Sequence, residues 1–359
     1  MVKPMMEGYY VESTDGLFFA VKGLIHPPEA VVAYLRYAPD PHGARAREGL
    51  PYRRLYHFEE QEELLRQRYP SYLFEDPVFG AQLQGVPKER VRRIHDPCQK
   101  LAELRRRDGR DDLEEKAVAF GDLLADRAKV PESSIGISGS ILVGLHTPCS
   151  DLDAVVYGSE NCRAVHGALQ KLLDEPPLPP APLLPPKVGG IEGGRAPRGG
   201  REVRRLNEEE MRELYASRSQ DTPMDFEDFA RLEGRKVIQG RFQDCEYFIR
   251  FVKMPAEVGE NYGDRRYTSL GQAEIEATVA DASQAIFTPC IYGVEDVKFT
   301  DGPEVGDVRE IASFRGRFCE QAREGERVIA RGKLERVVAK EGKVYHRLLL
   351  GGPGDFMVA

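Results

Sequence analysis

Asp151 and Asp153 stand one residue apart at the head of Asp151-Leu152-Asp153-Ala154-Val155-Val156-Tyr157, a run whose apolar, β-branched character reads as a strand. Side chains at i and i+2 on a strand share a face, so the two carboxylates point the same way. Such a pair suits one or two hard divalent cations, because Mg2+ takes oxygen ligands and commonly keeps substrate phosphates in its shell. Upstream, Ser134-Ile135-Gly136-Ile137-Ser138 reads as a second strand and leads into Gly139-Ser140, with ten residues between Ser140 and Asp151. Gly139 lets the backbone approach a phosphate closely. Ser140 offers a hydroxyl and an amide at a helix start, where anions are favoured. In phosphoryl transfer, bound metals neutralise phosphate charge and activate the attacking oxygen. An Asp-x-Asp alone is commonplace and a Gly-Ser alone is usually a turn. Their conjunction between strand-like flanks singles them out.

The elements that must hold these residues are legible around them. Residues 8–38 read as β structure: Tyr9-Tyr10-Val11 and Leu17-Phe18-Phe19-Ala20-Val21 flank an Asp15-Gly16 hairpin turn, and residues 30–37 form a third strand. Helical periodicity marks 58–69, stopped by Pro70, then 97–107, opened by Pro97, and 111–129, where Leu113, Ala117, Phe120 and Leu124 recur at helical spacing. A helix is expected over 163–173, more at 207–217 and 224–232, and a strand over 236–253. Past residue 285 the chain turns to β-branched residues and Gly turns, with two strands flanking Lys340-Glu341-Gly342. Residues 174–205 are Pro-rich, then Gly- and Arg-rich, and read as an insertion that cannot bury a core.

The run Ile137-Ser138-Gly139-Ser140, its ten-residue spacer and Asp151-Leu152-Asp153-Ala154-Val155 resembles the signature of the DNA polymerase β-like nucleotidyltransferase superfamily, with Gly144 where that family often has a second glycine. The wider chain is similar to an uncharacterised archaeal-type nucleotidyltransferase group. The resemblance covers roughly residues 111–253. It implies transfer of a nucleoside monophosphate from an NTP to an acceptor hydroxyl, with Mg2+ (one or two ions, or Mn2+) held by Asp151 and Asp153 and the phosphates cradled by Gly139 and Ser140. It also implies a third acid on a later strand. The matching stretch is Glu246-Tyr247-Phe248-Ile249-Arg250-Phe251-Val252, in which Arg250 matches a family arginine at the nucleotide and Phe248 occupies the acid's place. Glu246, two residues earlier on the same face, can supply the third catalytic and metal-binding carboxylate; Asp244 can do so only if the strand bulges. A second departure is Ile141-Leu142-Val143, where several members carry an arginine that touches the triphosphate. Lys236, Arg235 and Arg241 are alternative phosphate contacts.

The expected fold is therefore mixed α/β: an N-terminal α+β module (1–108), a nucleotidyltransferase-type core with its insertion (109–255), and a C-terminal β-rich, barrel-like domain (256–359). The net charge of −8 argues against indiscriminate nucleic-acid binding, although segments 88–110, read as a basic helix, and 195–205 are locally basic. The six scattered cysteines form no CxxC pair, which argues against zinc and gives no support to a disulfide framework. No apolar run is long enough to span a membrane, and the expected setting is cytoplasmic. His146 and His26 read as structural. The expected partners are an NTP and an acceptor that can be a nucleic acid, a protein or a small molecule. The displaced third acid leaves a second reading open: a catalytically weakened fold that binds nucleotide or RNA as a regulatory module.

Overall fold

The Asp15-Gly16 turn closes the first hairpin, joining β1 (Tyr10–Ser13) to β2 (Phe18–Val21) with Tyr10 opposite Ala20. This computed structural model describes residues 5–175, 203–218 and 223–359. The N-terminal sheet continues with β3 (Ala30–Pro39), β4 (Arg45–Arg47), β5 (Leu50–Arg54), β6 (Leu73–Asp76), β7 (Ala81–Pro87) and β8 (Val91–His95). Its main path runs β4-β5-β3-β2-β1-β8, and β7 pairs with both β3 and β6. Helix α1 (Phe58–Arg68) lies where its periodicity predicts, ahead of Pro70. Residues 88–95, read as the start of a basic helix, are instead a short 3-10 turn followed by β8. His95 is buried there opposite Tyr10, so the edge-pairing of β8 with β1 outweighs the helical character of its arginines.

The central layer is built around two parallel strands, β10 (Leu152–Tyr157) and β13 (Cys245–Val252). Strand β9 (Ile135–Ile137) pairs antiparallel with β10, and β12 (Gln239–Phe242) and β11 (Val203–Arg204) extend the other side, giving β11-β12-β13-β10-β9. The stretch read as one strand over 236–253 is thus a hairpin. Its turn carries Gln243 at φ 54°, a left-handed conformation that the absence of a glycine concealed.

Helices α2 (Pro97–Arg106), α3 (Asp112–Ala128) and α5 (Ser159–Asp174) cover one face of this sheet. Asp96 caps α2 by accepting from the Cys98 and Gln99 amides, and Asp111 with Glu114 forms a reciprocal capping box on α3. The periodic Leu113, Ala117, Phe120 and Leu124 of α3 are all buried, together with Leu152, Ala154 and Val156 of β10. The alternate residues of β10 face the other way. Val155 and Tyr157 pack with Met6, Tyr9 and Val11 of the N-terminal part, so the face that carries Asp153 looks toward the N-terminal sheet. A one-turn helix, α4 (Gly139–Leu142), links β9 to the loop before β10.

Helices α6 (Glu208–Arg218) and α7 (Phe226–Gly234) precede β12, and α8 (Pro255–Val258) follows β13. The C-terminal sheet comprises β14 (Arg265–Gln284), β15 (Cys290–Asp301), β16 (Val308–Ser313), β17 (Arg327–Ala339), β18 (Val344–Leu350) and β19 (Phe356–Val358). Strand β14 pairs with both β15 and β17, so the sheet curls back on itself as a barrel-like unit. Lys340-Glu341-Gly342 is the turn between β17 and β18, with Gly342 at φ 77°. The architecture is mixed α/β with several sheets. The Pro/Gly-rich insertion expected at 174–205 falls mainly on residues 176–202, outside the described residues.

Candidate functional site

Strand β9 ends at Ile137, and the chain turns sharply at Gly139 into α4. The Ser138 amide donates to the Asp153 carbonyl (2.7 Å), which pins the turn to the head of β10. Gly139 sits at φ +61°, and a Cβ placed there would lie 2.0 Å from the Asp153 Oδ2. No other residue leaves room for that carboxylate. The Gly-Ser turn and the second aspartate are therefore one steric unit.

The other Asp153 oxygen is oriented by Arg250, whose Nη1 lies 3.1 Å from Oδ1; both side chains are about a quarter exposed (23% and 26%). Phe248 lies opposite Asp153 in the β10–β13 ladder, and Tyr247 lies opposite Leu152. One step back along both strands, that register sets Asp151 beside Glu246. The backbones of Asp151 and Glu246 thus run side by side, and the charges of Asp153 and Glu246 both bear on Asp151. The Asp151 carboxyl is pushed up to about 6. Withdrawal from water by the surrounding protein is the main cause, the negative charges of Asp153 and Glu246 add to it, and Arg54 and Arg45 oppose it. Glu246 is partly exposed and its Oε1 lies 3.5 Å from Arg241 Nη1.

Asp151 and Asp153 are oxygen donors of the kind a hard divalent cation takes, and the space in front of Gly139 is occupied by the Asp153 carboxylate itself. Such a cation would also relieve the repulsion that raises Asp151. Asp244 takes no part. It lies in the β12–β13 turn and is bound to Lys116 Nζ at 2.8 Å, which leaves Glu246 as the nearer third acid.

Phe248 is not an idle replacement for an acid. Its ring fills the space in front of Gly316, where a Cβ would meet it at 2.5 Å, and the Arg250 guanidinium lies 5.1 Å from its centre. The Ile141-Leu142-Val143 run has a similar explanation. Leu142, Val143 and Leu145 pack with Tyr10, Phe18, Tyr37 and Tyr52 of the N-terminal sheet. Both departures from the motif are contacts with a neighbouring domain, which no local reading of the core could reveal.

The alternative phosphate contacts fare differently. Lys236 is fully buried, with its Nζ held by Glu233 Oε1 and the Arg317 carbonyl, both at 2.5 Å; it serves the packing of the central layer on the C-terminal unit and does not reach the acids. Arg235 is engaged bidentately by Glu326 at 2.7 and 2.9 Å. His146 Nε2 lies 2.7 Å from Asp111 Oδ2, and with Glu114 these are, among the described residues, the one group of three His, Cys or acid side chains whose ligand atoms lie within 4.8 Å of one another. Asp111 and Glu114 are already the capping box of α3, and Glu114 also binds Arg107. His26 bridges the Met5 carbonyl and the Val32 amide as a structural residue of its turn. Among the basic residues of 88–110, Arg92, Arg105 and Arg107 are paired to Glu12, Asp122 and Glu114.

Sequence reasoning missed the arginines of the N-terminal sheet, Arg36, Arg45 and Arg54. Their signal was weak, because isolated arginines in a β segment usually only solvate it.

The chain is similar to an uncharacterised protein of Methanocaldococcus jannaschii, MJ1086. The two are 29% identical over 351 residues, which span 95% of this chain and 94% of the relative. The likeness therefore runs through all three sheets. No protein-family model matches the chain, and no solved structure matches it. Among the described residues no helix is long and apolar enough to cross a membrane.

Proposed function

We propose that the chain is a metal-dependent nucleotidyltransferase that moves a nucleoside monophosphate from an NTP to an acceptor hydroxyl, releasing pyrophosphate. The observation that carries this reading is the steric unit of Gly139 and Asp153 beside Asp151 and Glu246. A glycine turn that only a missing side chain permits, packed on the second aspartate and next to the first, supports the arrangement the sequence resemblance implies. The central sheet with α3, α4 and α5 is then the nucleotidyltransferase-type core.

In this reading Asp151, Asp153 and Glu246 hold Mg2+ (or Mn2+), which when bound neutralises phosphate charge and lowers the pKa of the attacking hydroxyl. Arg250 fixes the direction of the Asp153 carboxylate. Gly139 leaves room for the Asp153 carboxylate, which sets that acid's position for the metal and phosphates. NTPs are thus proposed as partners, while the acceptor is set by surfaces beyond the acids.

Pyrophosphate release from each of the four NTPs in Mg2+, with water, RNA and the protein itself as acceptors, tests the reading. Asp151→Ala with Asp153→Ala should abolish Mg2+-dependent release, by a factor of about 10³ or more. Turnover unchanged in that double variant sinks the assignment.

The Phe248 ring, standing opposite Asp153, favours a second reading, that of a nucleotide- or RNA-binding regulatory module without turnover. NTP and metal binding by calorimetry, with no pyrophosphate released on any acceptor, would favour the module.

A further inference from the structure

The Gly139-Ser140 turn continues into an apolar run, so the central layer itself presents few cations to a substrate carrying three phosphates. Arg250 is already committed to Asp153. Positive charge arrives instead from the N-terminal sheet. Its face bearing Tyr10, Phe18, Tyr37 and Tyr52 is seated on Leu142, Val143 and Leu145, immediately beside the acids. Arg54 is the cross-strand partner of Tyr37. Phe18 pairs with Tyr37 but Phe19 pairs with Leu35, so Arg36 is the extra residue of a bulge, a device that re-aims a side chain.

The charge of Arg54 reaches both Asp151 and Asp153, and Arg36 acts together with Arg54, Asp153 and Arg250 on Tyr10. Arg45 anchors this arrangement by donating to the Leu145 carbonyl and to Ser150 Oγ (3.4 Å), the residue before Asp151.

The neighbouring arginines show what is unusual here. Arg47 is paired with Glu12, and Arg53 with Asp40 and Glu60. Among the described residues neither Arg36 nor Arg54 has a carboxylate ion-pair partner, and the Arg54 Nε is buried without a hydrogen-bond acceptor. Two guanidinium groups next to a carboxylate cluster, held by a packed interface yet not neutralised, are a ready site for a polyanion that also reaches the acids.

We propose that Arg36 and Arg54 form the subsite for the triphosphate of the NTP, so that the N-terminal sheet completes the active site. The chemical class, a nucleoside triphosphate, rests on the nucleotidyltransferase reading; the anion site itself rests on the arginines. Inorganic tripolyphosphate in EDTA probes the subsite by calorimetry, and Mn2+ binding followed by electron paramagnetic resonance probes the acids separately. Arg36→Gln with Arg54→Gln should weaken tripolyphosphate at least about tenfold while Mn2+ affinity stays within about twofold. Arg36→Lys with Arg54→Lys, which keeps the charge and guards against a folding defect, should recover part of the loss. Asp151→Ala with Asp153→Ala should bind tripolyphosphate as well as or better than wild type. Tripolyphosphate binding unchanged in a Gln variant with a native melting curve overturns the proposal, as does a wild type that binds none. Loss of the metal site alone would count against the catalytic reading and leave the arginine subsite standing.

Discussion

At the scale of single residues, the site is expensive to the fold. Asp151 is held among negative neighbours with its carboxyl pushed up to about 6, above the ordinary value near 4. A carboxyl raised on folding binds its proton more tightly in the native state. The metal-free protein therefore gains stability as pH falls from about 6 toward 4, and carries the full cost above 6. Asp151→Asn should raise the Tm of the metal-free protein at pH 7 by about 1–2 °C, a small figure because the side chain, though hemmed in by protein, keeps part of its surface in water, which screens its charge. The gap should close near pH 4 in scanning calorimetry. Adding Mn2+ should stabilise wild type and not the variant. Gly139→Ala makes the complementary point. With φ at +61° and Asp153 at 2.0 Å, the methyl group must displace the carboxylate, and Mn2+ affinity should fall at least about tenfold in the same titration. The Gly-Ser and Asp-x-Asp residues were legible in the sequence because strand periodicity fixes which side chains share a face. That Gly139 and Asp153 touch was not, since it depends on how two strands and a turn stack in space.

At the scale of elements, helices read well and strands unevenly. Helix α3 carries its own caps and a full apolar stripe, so local signals and packing agree. The hairpin β4–β5 went unread: Arg45-Ala46-Arg47 and Leu50-Pro51-Tyr52-Arg53-Arg54 are short and have no apolar alternation, although they pair with each other and β5 pairs with the nearby β3. The β structure of the C-terminal part begins at Arg265, earlier than read, because Ala273, Ala277 and their neighbours alternate with small side chains that give a faint period-two signal. The apolar α4 region and Phe248 looked like defects in the motif and proved to be docking contacts. Leu142→Ala, at 4% exposure beneath the N-terminal sheet, should cost about 2–4 kcal/mol in urea unfolding. It should also reduce tripolyphosphate binding, because the sheet that bears Arg36 and Arg54 is seated on that residue. A destabilised variant with unchanged tripolyphosphate affinity would separate the docking from the subsite.

At the scale of the whole molecule, the N-terminal sheet and the C-terminal unit both pack on the central sheet. The helices lie on its far side, the N-terminal sheet covers the acid-bearing face, and the C-terminal unit presses Gly316 against Phe248. Similarity to the Methanocaldococcus jannaschii protein over nearly the full length of both chains is consistent with a site to which all three parts contribute. The net charge is acidic, so positive charge acts locally, as that of Arg54 and Arg45 does on Asp151. The central claim is that Asp151, Asp153 and Glu246 form one divalent-cation site. A crystal grown with Mn2+ and a non-hydrolysable NTP, measured for anomalous scattering, tests it directly. The account predicts a peak about 2.0–2.3 Å from carboxylate oxygens of Asp151 and Asp153, with the triphosphate reaching Arg54. A peak at Asp111, Glu114 and His146 instead, or none at the paired aspartates, would contradict it.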